Sequence, residues 1–250
     1  MHEPFYLEGI AKKGIVVFIH GFLGSPRQFS RLAQSVHLQG YSAASLLLPG
    51  HGTTVKAFSA ATMEDWQNHV NAEIGRFSSN HADIYLVGHS MGSLLTINAA
   101  VEFSGHVRCL FLIACPFKLR YFSAQSIKVK LQQLFYLKSN PIKSAYLAGN
   151  SVRSSPSIIW RCAKPSAELN KLILITQDNL HKIRIPVTAI YSSSDEIVSV
   201  DSLEILSNGL GHAPFESMTL SDSLHAYYPE HERSLIESAL SNAVSQAGSG

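Results

Sequence analysis

Ser90 stands in Gly88-His89-Ser90-Met91-Gly92, a spacing that holds a serine hydroxyl on a sharp turn between a strand and a helix. Gly88 and Gly92 supply the small residues that such a turn requires. A neutral hydroxyl is a weak nucleophile, so it needs an adjacent base, and histidine suits because its pKa lies near neutrality. The imidazole in turn needs a carboxylate to set its tautomer and stabilise its cation. Together these residue types could carry out acyl transfer through a covalent serine intermediate.

In an open sheet that carries such a turn, the partners follow in chain order: serine, acid, histidine. Asp195 meets the order, in a serine-rich turn after the strand pattern Val187 to Tyr191. Asp201 is the nearest rival, but it sits where the next helix starts and reads as a cap. Asp178 and Asp222 are further options, and Glu196 is expected to point away from Asp195 in an extended turn. His225 lies between the last strand and the last helix, where the base belongs. His231 falls inside that helix, and His212 precedes the strand at the wrong end of the sheet. A developing oxyanion needs two donors. Met91 N–H, at a helix N-terminus, is one candidate, and Phe22 N–H, in the loop after the strand ending at His20, is the other. His20 and His51 read as structural, bonding loop backbone, and His89 is expected to pack locally.

The elements that must position these residues alternate along the chain. Apolar runs at Gly14 to His20, Asp83 to Gly88 and Val107 to Cys115 read as buried strands, and Tyr41 to Leu48 and Pro186 to Tyr191 as further strands of the sheet. Phe5 to Gly9 is a possible edge strand, and Phe215 to Leu220 the last strand. Ser25-Pro26 opens a helix to about Gln39. Thr62 caps a helix whose Trp66, Val70, Ile74 and Phe77 form one stripe. Ser199 or Asp201 caps a helix through Leu210, and Pro229 with Glu230 and Glu232 opens the last one. The alternation predicts an α/β fold with a mostly parallel sheet covered by helices on both faces. It breaks between Phe117 and Lys182, which reads as a helical insertion containing a helix over Ser166 to Thr176. The expected organisation is a core over 1–116 and 183–245, an insertion over 117–182 and a flexible tail over 246–250.

Composition narrows the function. Among 250 residues, 46% are hydrophobic, which suits a large buried sheet. Charged residues make up 15%, below the roughly 25% of an average soluble protein. The net charge of +2 and the lack of a Lys/Arg block argue against nucleic acid or an anionic membrane as partner. No apolar run approaches the ~18 residues of a membrane span, and no secretion signal is visible at Met1. Three cysteines make no disulfide framework, so a cytoplasmic location is the default expectation.

Taken together, His20-Gly21-Phe22-Leu23-Gly24, Gly88-His89-Ser90-Met91-Gly92, Asp195 and His225 resemble the α/β-hydrolase superfamily. Pro4 to Gly9, Leu48-Pro49-Gly50-His51-Gly52, Met63-Glu64-Asp65-Trp66 and Ser194 to Val198 resemble small bacterial carboxylesterases and monoacylglycerol lipases. The resemblance implies Ser90 as nucleophile, Asp195 and His225 as its partners, and the Phe22 and Met91 amides as oxyanion hole. It also implies that the insertion is a cap over the site, and that neither a metal nor an organic cofactor takes part. Tyr227-Tyr228 departs from the small apolar residues expected after the histidine. The expected substrate is a small ester, either a short-to-medium acyl ester or a monoacylglycerol. Phe117, Tyr121, Phe122, Leu134 and Phe135 could line an acyl chain, although core packing explains each as well or better. Thioester hydrolysis, acyl transfer, carbon–carbon bond cleavage and a non-catalytic binding role remain open on the same residues.

Overall fold

The computed structural model describes residues 2–9, 13–120, 144, 145, 149, 151 and 161–248. Among the described residues, seven strands form one sheet: β1 (Phe5–Leu7), β2 (Ile15–Ile19), β3 (Ser42–Leu46), β4 (Ile84–His89), β5 (Val107–Ile113), β6 (Val187–Ser192) and β7 (Phe215–Leu220). Their spatial order is β1-β3-β2-β4-β5-β6-β7. The short edge strand β1 runs antiparallel to β3, and every other pairing is parallel. Every residue of β2, β3 and β4 is buried, as expected of strands covered on both faces.

Among the described residues, helices with both ends defined are α1 (Ser30–Leu38), α2 (Val55–Ala60), α3 (Met63–Ser78), α4 (Met91–Glu102), α5 (Ala163–Asn179), α6 (Ser202–Leu210) and α7 (Glu230–Ala247). Pro26 forms a 3-10 turn, Pro26–Phe29, ahead of α1, so the helix read from Ser25 begins as a tighter turn. Its Ser25 makes no capping bond. Thr62 does cap α3, in a reciprocal box with Asp65. The stripe Trp66, Val70, Ile74 and Phe77 is buried, each side chain contributing roughly 1.5–3 kcal/mol of apolar transfer. Helix α4 is buried nearly all round, because it lies on β4 beneath α3 and α5.

Of the segment expected to cap the site, Phe117 to Arg120 runs beside the turn after β6. Leu119 bridges Val198, Arg120 N–H donates to the Ile197 carbonyl, and Ser199 N–H donates to that of Lys118. Helix α5 packs on α2, α3 and α4. Tyr121, Phe122, Leu134 and Phe135 lie outside the described residues. Gln246 and Ala247, expected in a flexible tail, belong to α7; residues 249 and 250 lie outside the described residues. Among the described residues no helix is long and apolar enough to cross a membrane.

From β2 the chain moves outward to β3 on one side; from β4 it moves to β5, β6 and β7 on the other. The crevice where strand order reverses therefore lies between the C-terminal ends of β2 and β4, the place where open α/β sheets bind ligands. The loop His20 to Gly24 and the residue Ser90 stand at those two ends.

Candidate active site

Ser90 links β4 to α4 with φ 53° and ψ −124°, a conformation that a side-chain-bearing residue rarely adopts. The surrounding packing holds it there. A Cβ on Gly88 would lie 2.5 Å from Ser93 N and Cα, and one on Gly92 would lie 2.0 Å from the Ile19 carbonyl oxygen. Ser93 Oγ donates to the Gly88 carbonyl at 2.8 Å, and Ser90 N–H to the Ile113 carbonyl at 2.8 Å. The hydroxyl-bearing residue is itself 5% exposed.

His225 and Asp195 meet: Nδ1 lies 2.9 Å from Asp195 Oδ2. The other carboxylate oxygen accepts the Ile197 and Val198 N–H groups, both at 2.8 Å. Burial pushes the Asp195 carboxyl up, but the His225 charge, its hydrogen bond and the two backbone donors outweigh this and hold it below its usual range. A carboxylate accepts only, so Nδ1 carries the proton. Neutral His225 then keeps a lone pair on Nε2, the nitrogen available as a base. Burial pushes the imidazole down, while the Asp195 charge and hydrogen bond, with help from Glu196, raise it above its ordinary value.

Glu196 corrects an expectation. It does not point away: it is buried, and its Oε2 accepts the His225 N–H at 3.0 Å. The turn is not extended, because Asp195 Oδ1 draws in the next two amides and curls the chain so that both carboxylates face His225. Asp201 likewise makes no capping bond at α6; its carboxylate pairs with Lys118 Nζ at 2.5 Å. His89 packs beside the site with its ring 4.8 Å from that of His225 and Nε2 2.9 Å from the His225 carbonyl oxygen. Tyr228, the aromatic departure noted in the sequence, donates its hydroxyl to the same carbonyl at 3.3 Å. Glu232 does not merely favour a helix start. It accepts from Ser221 N–H at 2.7 Å and Asp222 N–H at 3.0 Å, and bonds the Ser223 hydroxyl, anchoring the loop that carries His225.

The loop after β2 is equally constrained. Leu48 N–H donates to His20 Nε2 at 3.1 Å, so Nδ1 bears the proton and donates to the Gly21 carbonyl at 2.9 Å. Gly24 N–H donates to the same oxygen at 2.9 Å. A trans peptide aims its C=O and N–H in opposite directions, so pinning Gly21 C=O also sets the direction of Phe22 N–H. His51 Nε2 lies 2.7 Å from the Phe22 carbonyl oxygen. Burial holds both His20 and His51 below the ordinary imidazole pKa, so both are neutral hydrogen-bonding struts. A Cβ on Gly21 would lie 3.0 Å from Ser90 Cβ, which places this loop directly against Ser90.

His231 is exposed in α7 and pairs with Asp222 at 3.2 Å. These two and Glu232 offer oxygen and nitrogen atoms within 4.8 Å of one another. Asp222 and His231 already satisfy each other, and Glu232 is occupied by the loop it anchors.

The family described as Hydrolase_4, serine aminopeptidase S33, matches residues 10–232. The chain belongs to this family. Its fold is the α/β-hydrolase fold, shared at a TM-score of 0.75 with one of the metagenome-derived lipolytic enzymes LipS and LipT. That structure is 23% identical, over 97% of each chain. A monoacylglycerol lipase of Paleococcus ferrophilus matches at a TM-score of 0.69 and 16% identity, over 97% of this chain and 99% of its own. In sequence, the "Thermostable monoacylglycerol lipase" of Bacillus sp. (strain H-257) is 23% identical over 237 residues, 94% of this chain and 90% of its own.

Proposed function

We propose that this chain is a serine hydrolase of carboxylic esters, with Ser90 as nucleophile, His225 as base and Asp195 as its carboxylate partner. The observation that carries the reading is the His225 Nδ1 to Asp195 Oδ2 bond of 2.9 Å, made in the loop gripped by the residue next to Ser90. Ser90 Oγ attacks the ester carbonyl carbon while His225 Nε2 takes its proton. Negative charge develops on the former carbonyl oxygen, where we place the Met91 and Phe22 N–H groups. Met91 opens α4, so its amide has no partner within the helix. When the tetrahedral intermediate collapses, His225 returns the proton to the departing alkoxide and an acyl-serine remains. Water, deprotonated by the same nitrogen, then releases the acid and restores Ser90.

The substrate class we favour is a short-to-medium acyl ester or a monoacylglycerol. The names of the relatives, lipases and monoacylglycerol lipases, support it. The family's description as a serine aminopeptidase makes an amide the alternative to exclude. A panel of p-nitrophenyl esters, monoacylglycerols, acyl thioesters and aminoacyl anilides separates the possibilities. The expected outcome is the highest kcat/KM on the esters. Turnover confined to thioesters or to anilides would overturn the ester reading while leaving the three residues in place.

A further inference from the structure

The chain neighbours of Ser90 and Asp195 both hold the main chain of His225. His89, immediately before Ser90, meets the His225 carbonyl oxygen through Nε2 at 2.9 Å. Glu196, immediately after Asp195, accepts the His225 N–H at 3.0 Å. We propose that Glu196 is a positioning residue for the His225 imidazole, forming with His89 a two-sided clamp on its backbone. The proposal rests on the triad proposed for this chain and extends it to two residues that bear no proton in the reaction.

A clamp has a clear physical task here. The bond to Asp195 fixes one ring nitrogen, and a ring held at a single point can still swing about it. Holding the N–H and the C=O of the same residue locates its Cα, after which the Asp195 bond suffices to set the ring. Catalytic groups need placement to within about 0.5 Å, and loop residues reach it only through such supports. Both supports are rigid, because Glu196 is 3% exposed and His89 6% exposed. Burying a carboxylate is costly unless hydrogen bonds compensate, and the His225 amide supplies one.

The clamp also has a charge. The groups facing His225 are Asp195 and Glu196 from the turn after β6, His89 from the end of β4, and Tyr228 from its own loop. Burial first, and then the charge of His225, lower His89 to a pKa of about 3, so it is a neutral donor. Glu196 adds a second negative group that favours the protonated imidazole.

The test compares Glu196→Ala with Glu196→Gln in the full chain, on a p-nitrophenyl ester, over a range of pH. Glu196→Ala is expected to lower kcat by about 10- to 100-fold with KM nearly unmoved, the cost of a displaced catalytic group. In Glu196→Gln an amide oxygen accepts the same N–H, so kcat should recover to within about tenfold of wild type, the worth of one altered hydrogen bond. Its charge is gone, so the acid limb of kcat/KM should move to lower pH. Should Glu196→Ala fail to fold, His89→Gln and His89→Leu replace it. The Gln amide keeps a donor near the Nε2 position and should retain about tenfold more activity than Leu. Wild-type kcat in Glu196→Ala, an unmoved acid limb in Glu196→Gln, or equal losses in the two His89 variants would overturn the clamp. Labelling of Ser90 by a fluorophosphonate, run alongside, separates the two levels. If wild type labels and the variants behave as wild type, only the clamp fails; if wild type does not label, the triad falls and the clamp with it.

Discussion

Gly92 lies so close to Ile19 that a single added carbon would sit 2.0 Å from the Ile19 carbonyl oxygen. This approach ties the first turn of α4 to the end of β2, across the crevice where strand order reverses. The neighbouring atoms are backbone, so no side chain can swing away. Gly92→Ala is therefore expected to cost about 4 kcal/mol or more, the range of severe core overpacking and strain. The denaturant midpoint measures it, and a shift worth under about 1 kcal/mol would mean that the turn yields more easily than its packing implies.

Asp195→Asn keeps the volume of the side chain and removes the charge. An amide oxygen or an amide nitrogen can then face His225 Nδ1, and the tautomer is no longer set. The expected loss in kcat is about 10⁴-fold, the scale of that substitution in serine–histidine–aspartate sites. Steady-state kinetics on a soluble aryl ester measures it. A loss below about tenfold would reassign the acid.

The pH dependence follows from the sign of the His225 shift. The base works only when neutral, so activity falls as pH drops through its pKa. Burial lowers that pKa, but Asp195 and then Glu196 more than offset this, for a net value above the ordinary 6.5. The acid limb of kcat/KM is thus expected to have its midpoint above 6.5, and to move down in Asp195→Asn. His89, with a pKa of about 3, does not titrate in this window, so the limb belongs to His225. A wild-type midpoint well below 6.5 would contradict the assignment.

Thr62 and Asp65 form a solvent-exposed capping box at the start of α3. Thr62→Ala removes the side-chain acceptor for the Asp65 N–H and should cost about 1 kcal/mol of stability. Thermal unfolding would show the loss, while kcat on the aryl ester should stay at the wild-type value.

Much of this arrangement is legible in the sequence, for particular reasons. The inner strands β2, β4 and β5 are largely apolar runs because both faces are covered, and β4 runs straight into the glycine-flanked serine. Thr62 and the α3 stripe are local patterns, so Trp66 and Phe77 could be placed in the core without a structure. What local pattern could not reveal is tertiary. Asp201 looks like a helix cap, but Lys118, brought in by the strand extension after β5, takes its carboxylate. Alternation along an extended turn points Glu196 outward, whereas the amides of Ile197 and Val198 curl the turn onto Asp195. His89 meets the carbonyl of a residue 136 positions later, and no spacing rule spans that distance.

The proposed chemistry requires Ser90 to be a nucleophile activated by His225. Intact-mass analysis after incubation with a fluorophosphonate tests this most directly. One phosphonyl group should be added to wild type and mapped to Ser90, none to Ser90→Ala, and the labelling rate of His225→Ala should fall by about 10³-fold or more. Wild-type protein that stays unmodified, or that carries the label on another residue, would contradict it.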